Sequence, residues 1–226
     1  MQIWRILILI VLAYLSGNIS LAKMLSAKRN VDITKHGSGN PGTMNMARTL
    51  GWKYGVLTMF CDIAKASAPC LLGAFLLEYP DIKFSNSGVL IAGISAILGH
   101  MFPVFRRFRG GKGAASSLGV FLALDWRFAL GALGTAALVF FITRYGSVMS
   151  IVLVMAMTLI EYLRWFAFDS GRGQNIVLDS ILLGFIPVLI IFAHRGNLKR
   201  LSQGSERRME KMQYVKEISE ESLKKE

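Results

Sequence analysis

Residues 88–105 read GVLIAGISAILGHMFPVF, and none of these eighteen positions holds Lys, Arg, Asp or Glu. A helix that crosses the roughly 30 Å hydrocarbon core of a bilayer needs about 20 mainly apolar residues. Six other stretches meet that length or fall slightly short of it: residues 3–22, 54–77, 114–124, 127–143, 147–168 and 176–193. With 53% hydrophobic and 18% charged residues, the 226-residue chain is too apolar for an ordinary soluble domain. We predict an all-α integral membrane protein, a polytopic bundle of about seven transmembrane helices.

The weakest of these predicted spans is 114–124, because eleven residues are too few to cross a bilayer as a straight helix. This segment is either re-entrant or an extension of the glycine-rich stretch before it, and the topology changes if it does not cross. The first span lacks a small-x-small cleavage site and continues into Lys23, so we interpret it as a retained helix. Cys61 and Cys70 lie nine residues apart in one predicted helix, and neither a disulfide nor a metal site follows.

The cationic residues indicate the orientation, since cytoplasmic loops collect Lys and Arg. With seven crossings and an outside N-terminus, twenty of the 26 Lys and Arg residues fall on the cytoplasmic side. Positive loops beside anionic headgroups also account for the net charge of +12. No nucleic-acid motif is visible, so we expect no nucleic-acid partner.

Three polar, glycine-rich islands interrupt the apolar stretches, and in this topology all three face the cytoplasm. We call residues 36–48 the first island, 99–113 the second and 194–206 the third. They contain every histidine of the chain. Segments far apart in sequence are thereby predicted to meet at one surface.

The first island contains GSGNPG at residues 37–42. Its glycines permit positive φ angles, so successive backbone N–H groups can point into one concavity that suits a phosphate. Ser38 and Asn40 add donors, and Asn45 and Arg48 are three residues apart on the helix predicted to follow. A tight turn between two spans is an equal alternative.

The second island runs through Arg106, Arg107 and Arg109 to Gly110-Gly111-Lys112-Gly113 and then opens a helix, where an anion is stabilised. It is not a Walker nucleotide loop, because the required glycine and the Ser or Thr after the lysine are absent. At least two of the three arginines are interpreted as topology anchors. Lys112 is the better functional candidate, whereas a lone histidine at a helix end, such as His100, is more often structural.

The third island places His194 at the end of the last span and Asn197 one turn later, followed by Arg200 and Glu206. An imidazole that titrates near neutral pH suits general-base work or a hydrogen bond to a substrate hydroxyl.

Asp62 and Lys65 can pair on one face of the second span. Because ionisable groups at that depth are costly unless paired, the pair is either structural or functional.

Several catalytic templates are excluded. No histidine is followed five residues later by aspartate, as many glycerolipid acyltransferases require, and no Gly-x-Ser-x-Gly elbow occurs. No cluster of histidines and carboxylates has metal-ligand spacing. We therefore expect neither a metal nor a cofactor.

The three islands in this order closely resemble the bacterial acyl-phosphate-dependent glycerol-3-phosphate acyltransferases. The strings that carry the resemblance are GSGNPG at 37–42 with Asn45 and Arg48, GHMFP at 99–103 with GGKG at 110–113, and HRGNLKRL at 194–201 with Gly204 and Glu206. Asp62 and Lys65 also resemble a recurrent feature of that family. The resemblance covers roughly residues 1–206. It implies a transmembrane acyltransferase domain over residues 1–204. The resemblance leaves the tail out, and the mixed-charge composition of residues 205–226 predicts a charged cytoplasmic tail there.

The resemblance implies acyl transfer from acyl phosphate to the 1-hydroxyl of glycerol 3-phosphate. The products would be lysophosphatidic acid and phosphate, in the first acylation of phospholipid synthesis at a bacterial plasma membrane. The expected partners are acyl phosphate, glycerol 3-phosphate and membrane lipid; a monomer is compatible with the sequence, and the oligomeric state is left open.

The site residues that the resemblance implies fall into two groups. His194, Asn197 and Lys112 are the expected catalytic residues, with His194 or a substrate phosphate accepting the hydroxyl proton. The expected substrate-binding residues are Gly37, Ser38, Gly39, Asn40, Asn45, Arg48, His100, Gly110, Gly111, Gly113, Arg200 and Glu206.

The chain departs from the family at Thr43-Met44-Asn45, where Ala-Thr usually precedes the asparagine, so the hydroxyl has moved by one position. Ala114 and Ser116 replace the commoner valine and threonine.

The main rival function is a membrane transporter of a phosphorylated metabolite. A transporter needs polar groups along a path through the bundle, and Asp62 and Lys65 are nearly the only ionisable residues predicted at that depth.

Overall fold

The computed structural model describes residues 3–77, 86–168 and 175–209, and within these ranges the regular structure is entirely helical. The helices are α1 (Ile3–Gly17), α2 (Leu21–Ala27), α3 (Thr43–Leu50), α4 (Trp52–Leu76), α5 (Asn86–Met101), α6 (Ala114–Thr143), α7 (Gly146–Phe168) and α8 (Ile176–Ser202), with a 3₁₀ turn at Val104–Arg106. The predicted tail beyond residue 209 lies outside the described residues.

The central helix of the bundle is α5, in which thirteen of sixteen residues are buried. It packs against α1 and α4 through small residues that let the backbones approach closely. A Cβ added to Gly99 would lie 2.1 Å from the carbonyl oxygen of Tyr14, and one added to Gly73 would lie 2.4 Å from that of Gly88. Such contacts are typical of helices that associate in a membrane.

The outer surface of the bundle is apolar. Phe166 is 85% exposed, Phe75 72% and Phe141 64%, which is the surface that lipid tails cover in an integral membrane protein. By length and composition, six helical stretches in the described residues could each cross a bilayer. The predicted all-α membrane bundle is confirmed, but this count is six rather than seven.

This count treats the predicted spans 114–124 and 127–143 as one stretch, α6. Asp125 interrupts it with an extended backbone at φ −155° and ψ 106°. Its carboxylate accepts the backbone N–H of Arg127 at 3.0 Å, as an N-cap residue does at the start of a new helix. The sequence boundary predicted between residues 124 and 127 therefore falls on a real break.

Both ends of α6 lie at the same end of the bundle. Lys112, just before α6, is joined to Glu206 through Asn197, and Ser147, just after α6, donates to the same Glu206 carboxylate. Thirty residues of straight helix would separate those ends by about 45 Å. The chain must therefore fold back at Asp125, with an outgoing arm of residues 114–124 and a returning arm of residues 126–143.

Candidate functional site

One cavity, of about 130 Å³, opens at the end of the bundle where both ends of α6 lie, and all three islands line it. Its polar lining consists of Ser38, Asn40, Thr43, Asn45, Arg48, Asp62, His100, Lys112, Ser147, Ser150, His194, Asn197, Arg200, Glu206 and Arg207. The structure thus brings together residues separated by up to 169 positions, from Ser38 to Arg207. The predicted assembly of the three islands at one surface is present.

The first island is held by Asn45, which is 1% exposed. The Asn45 side chain accepts the Ser38 backbone N–H at 2.8 Å and donates to the carbonyls of Ile33 and His36 at 3.1 and 3.0 Å. Gly37 has φ +58°, and a Cβ there would lie 2.2 Å from the Asn45 oxygen. Only glycine fits that position, because φ is positive and the amide is in contact.

The predicted open nest of amides is absent from the first island. The N–H of Ser38 is bound by Asn45, that of Gly39 donates to His36 O at 2.9 Å, and that of Gly42 donates to Asn40 O at 2.9 Å. These donors are consumed by the loop itself. Anion binding at this island therefore falls to side chains, and Asn45 shapes the loop.

Arg48, on α3 as predicted, lines the cavity and donates from Nη2 to the carbonyl of Arg207 at 3.2 Å. Its Nε is buried with no hydrogen-bond partner. Burial lowers the pKa of the Arg48 guanidinium, and Glu206 partly opposes that shift. A guanidinium keeps its charge under such a shift, so Arg48 presents an unsatisfied donor of fixed positive charge.

In the second island the glycines Gly110 and Gly111 close against the end of α5. Their N–H groups donate to the carbonyls of Met101 and His100 at 3.1 and 3.0 Å. A Cβ on Gly111 would lie 2.0 Å from Nε2 of His100. These two glycines thus allow the second island to pack closely against the end of α5. Their N–H groups are not free to bind substrate, unlike the prediction.

Gly113 behaves differently from its neighbours. It has φ +86°, lines the cavity with Ala114 and Ala115, and begins α6 without a side-chain cap. The first N–H groups of a helix have no partner within it and carry partial positive charge. The start of α6 therefore faces the cavity with uncapped N–H groups, and anion binding there stays a prediction.

His100 is part of a buried polar cluster below the cavity. The ammonium of Lys65 makes three hydrogen bonds, to Ile19 O at 2.6 Å, His100 Nδ1 at 2.7 Å and the Asp62 carboxylate at 2.8 Å. An ammonium has three protons, so Lys65 is fully satisfied. The cluster ties the turn after α1 to α4 and α5, which supports the structural alternative for Asp62 and Lys65.

In the third island, His194 and Asn197 do not follow the last span but lie within α8, which continues to Ser202. His194 is 3% exposed, and its Nδ1 lies 2.8 Å from the carbonyl oxygen of Ile190. A carbonyl can only accept, so Nδ1 carries the proton. Nε2 is then the unprotonated nitrogen of the neutral ring and is able to accept a proton.

Asn197 joins Lys112 to Glu206. Its side-chain oxygen accepts the Lys112 ammonium, and its amide nitrogen donates to Glu206 at 2.6 Å. Ser147 and Arg200 also donate to Glu206, at 2.8 and 2.9 Å. Burial raises the pKa of Glu206, but these three hydrogen bonds outweigh it and hold the pKa below the ordinary value. Glu206 is therefore ionised, and its hydrogen bonds orient the side chains of Ser147, Asn197 and Arg200.

The charge of Lys112 depends on pH near neutrality. Burial lowers its pKa to about 8, with Arg200 and Arg48 acting in the same direction and Glu206 opposing them. An incoming phosphate would favour the protonated form. Lys112 is therefore cationic below pH 8 and loses its charge above it.

The sequence interpretation missed several lining residues. Ser147 and Arg207 belong to no glycine-rich motif, and only their proximity to the islands at the end of the bundle could have indicated them. The apolar lining, Met59, Leu118, Leu133, Met149 and Leu153, comes from α4, both arms of α6, and α7. Met44 also lines the cavity, and Thr43 beside it has a buried hydroxyl without a partner.

Comparison with known proteins agrees with this geometry. The model of the glycerol-3-phosphate acyltransferase family matches residues 7–204. This chain belongs to the glycerol-3-phosphate acyltransferase family. Its similar relatives include the glycerol-3-phosphate acyltransferases of Chlorobaculum tepidum, 38% identical with 90% of this chain and 96% of the relative covered, and of Aquifex aeolicus, 35% identical with 90% and 99% covered.

The fold of this family member resembles two crystal structures of PlsY (YgiH), an integral membrane glycerol 3-phosphate acyltransferase. The glycerol 3-phosphate form has a TM-score of 0.76 and covers 91% of this chain and 96% of its own. The lysophosphatidic acid form has a TM-score of 0.75, and both are 34% identical to this chain. The acyltransferase prediction is confirmed at the level of the family, and the rival transporter interpretation is not retained.

Proposed function

We propose that this protein transfers a fatty acyl group from acyl phosphate to the 1-hydroxyl of glycerol 3-phosphate. The observation that carries the proposal is a single cavity with two kinds of lining. Arg48, Lys112 and Arg207 line it together with the apolar side chains Leu118 and Leu133. The products are 1-acylglycerol 3-phosphate and phosphate, and the reaction is the first acylation of phospholipid synthesis.

The apolar lining suits a donor with a fatty chain. Leu118 and Leu133 come from the two arms of α6, and Met149 and Leu153 come from α7. Burying apolar surface there stabilises the bound chain by about 25 cal/mol per Å². A lipid-soluble donor can thus place its reacting carbonyl beside the polar residues.

The cationic lining suits two phosphates. Acyl phosphate and glycerol 3-phosphate are both anionic, and their repulsion must be overcome before they react. Positive charge comes from two separate segments of the chain, Arg48 on α3 and Lys112 together with the start of α6. Fixed charges and dipoles of this kind also stabilise the negative charge that develops on the leaving phosphate.

His194 is placed to accept the proton of the attacking hydroxyl. The oxygen of glycerol 3-phosphate forms a bond to the acyl carbon, and the bond from that carbon to the phosphate oxygen breaks. Phosphate leaves with the electron pair, and the hydroxyl proton passes to Nε2 of His194. The Ile190 carbonyl keeps the ring in the tautomer that this step requires.

We place the cavity on the cytoplasmic side of a bacterial plasma membrane. Lys and Arg residues concentrate at the island end of the bundle in the predicted topology, as they do in cytoplasmic loops. Glycerol 3-phosphate is soluble in water and reaches that face directly.

The test of the proposed function is donor selectivity. The purified protein is incubated in detergent with labelled glycerol 3-phosphate and either palmitoyl phosphate or palmitoyl-CoA. We expect labelled lysophosphatidic acid with palmitoyl phosphate alone. Equal or faster product formation with palmitoyl-CoA would refute the acyl-phosphate donor and leave the family assignment intact.

A further inference from the structure

The chain after α8 returns across the edge of the cavity. We call residues 205–209 the strap. The Arg207 guanidinium donates from Nη1 to the carbonyl of Gly37, and the Arg207 carbonyl accepts from Arg48 at 3.2 Å. The strap therefore connects directly to the first island.

The other side of the strap is fixed to the turn between α6 and α7. Arg208 donates from Nε to the Tyr145 hydroxyl at 3.0 Å and stacks on its ring, and the Met209 N–H donates to Arg144 O at 2.9 Å. These contacts place Arg207 between the first island and that turn. Arg207 lines the cavity.

Arg207 adds a second positive charge beside Arg48 at the first island. The island amides of Ser38, Gly39 and Gly42 are consumed within the loop. Lys112 donates to Asn197 and Arg200 donates to Glu206. Of the five N–H donors of a guanidinium, the described contacts of Arg207 engage one, through Nη1.

We propose that Arg207 is a further substrate-binding residue, which holds the phosphate of the water-soluble acceptor against the first island. The proposal rests on the proposed function, because it assigns glycerol 3-phosphate to this side of the cavity. Arg207 is joined to Gly37 and Arg48, whereas the apolar residues of the cavity other than Met44 lie on helices α4, α6 and α7.

The acceptor rather than the donor occupies this position because Arg207 is exposed at the rim of the cavity. A substrate that arrives from water meets this rim first. The donor, by contrast, places its chain against Leu118 and Leu133. Because of this position, Arg207 binds the phosphate of glycerol 3-phosphate rather than that of the acyl donor.

The test is the dissociation constant of glycerol 3-phosphate for the full-length protein in detergent without donor, measured by isothermal titration calorimetry. Removal of one charge-assisted hydrogen bond at an exposed rim predicts that Arg207→Gln weakens binding about tenfold. Arg207→Lys, which keeps the charge, is expected to recover part of the affinity. In the steady state, the KM for glycerol 3-phosphate rises with Arg207→Gln, and the KM for palmitoyl phosphate stays within about twofold.

Two variants of the strap control for its position. Arg208→Gln and Tyr145→Phe both remove the bond between Arg208 and Tyr145 and leave Arg207 unchanged. We expect wild-type affinity for glycerol 3-phosphate in each. The proposal is overturned if Arg207→Gln binds like the wild type, or if either control weakens binding as much as Arg207→Gln does. A wild-type protein that binds glycerol 3-phosphate but forms no lysophosphatidic acid would refute the proposed function instead.

Discussion

His194 donates its Nδ1–H to the carbonyl oxygen of Ile190, 2.8 Å away and one turn earlier in α8. The backbone of the helix thus selects the tautomer of the ring. Because the ring is 3% exposed, bulk water competes little for Nε2. This relationship is the reason for proposing His194 as the proton acceptor.

Replacement of His194 is expected to affect turnover more than binding. We expect His194→Ala to lower kcat about a hundredfold or more, the contribution of a positioned general base, with a small change in KM. The matched control is Arg195→Ala, since Arg195 is exposed and its side chain contacts Phe192. Steady-state assays with palmitoyl phosphate check both. Near-normal kcat for His194→Ala would contradict the base role and leave the proton to a substrate phosphate.

Binding of glycerol 3-phosphate is expected to weaken as the pH rises above 8. Burial lowers the pKa of Lys112 to about 8, so the cation that attracts phosphate is present below that pH and lost above it. The dissociation constant is measured between about pH 6.5 and 9.5. Lys112→Gln, which has no proton to lose, is expected to bind weakly throughout and to lack this inflection. The same alkaline inflection in Lys112→Gln would assign the titration to another group.

Gly111→Ala is expected to lower the activity of the enzyme at least tenfold. A Cβ at Gly111 would lie 2.0 Å from Nε2 of His100, so the second island and Lys112 must shift, and displacements near 1 Å can cost a hundredfold in rate. Gly131→Ala is the control, because a Cβ at Gly131 meets nothing within 4 Å. Wild-type activity in Gly111→Ala would show that the contact between His100 and Gly111 does not position Lys112.

The buried pair of Asp62 and Lys65 is expected to contribute to stability. Lys65→Met leaves the Asp62 charge without its 2.8 Å partner at 4% side-chain exposure, which costs about 3 kcal/mol or more. The double variant Asp62→Asn with Lys65→Met removes both charges, so its thermal unfolding temperature in detergent is expected to lie above that of Lys65→Met. A double variant less stable than Lys65→Met would contradict the view that an unpaired buried charge causes the loss.

The sequence could predict the elements of this fold because apolar runs specify membrane helices directly. The run at residues 88–105 contains most of α5, and the helix predicted to follow the first island and to carry Asn45 and Arg48 is present as α3. The clustering of the islands followed from the alternation of spans and cation-rich loops. The position of a membrane helix and the side on which a loop lies are local or topological properties, and a sequence pattern can predict them.

The parts that were not predicted depend on tertiary contacts. Whether the amide of Ser38 faces a substrate or Asn45 is decided by the docking of α3, and no local pattern reports it. Whether residues 114–124 cross the membrane was left open by the sequence, because the reversal of the chain at Asp125 depends on one extended residue in a helical context. Ser147 and Arg207 enter the cavity through the folding back of α6 and the return of the strap, so their motif-free segments gave no signal.

The measurement that tests the central claim most directly is the product balance of a single reaction. The purified protein is given palmitoyl phosphate and labelled glycerol 3-phosphate, and released phosphate and labelled lipid are counted together. We predict one molecule of labelled 1-acylglycerol 3-phosphate for each phosphate released. Phosphate release without labelled lysophosphatidic acid would contradict acyl transfer at this cavity.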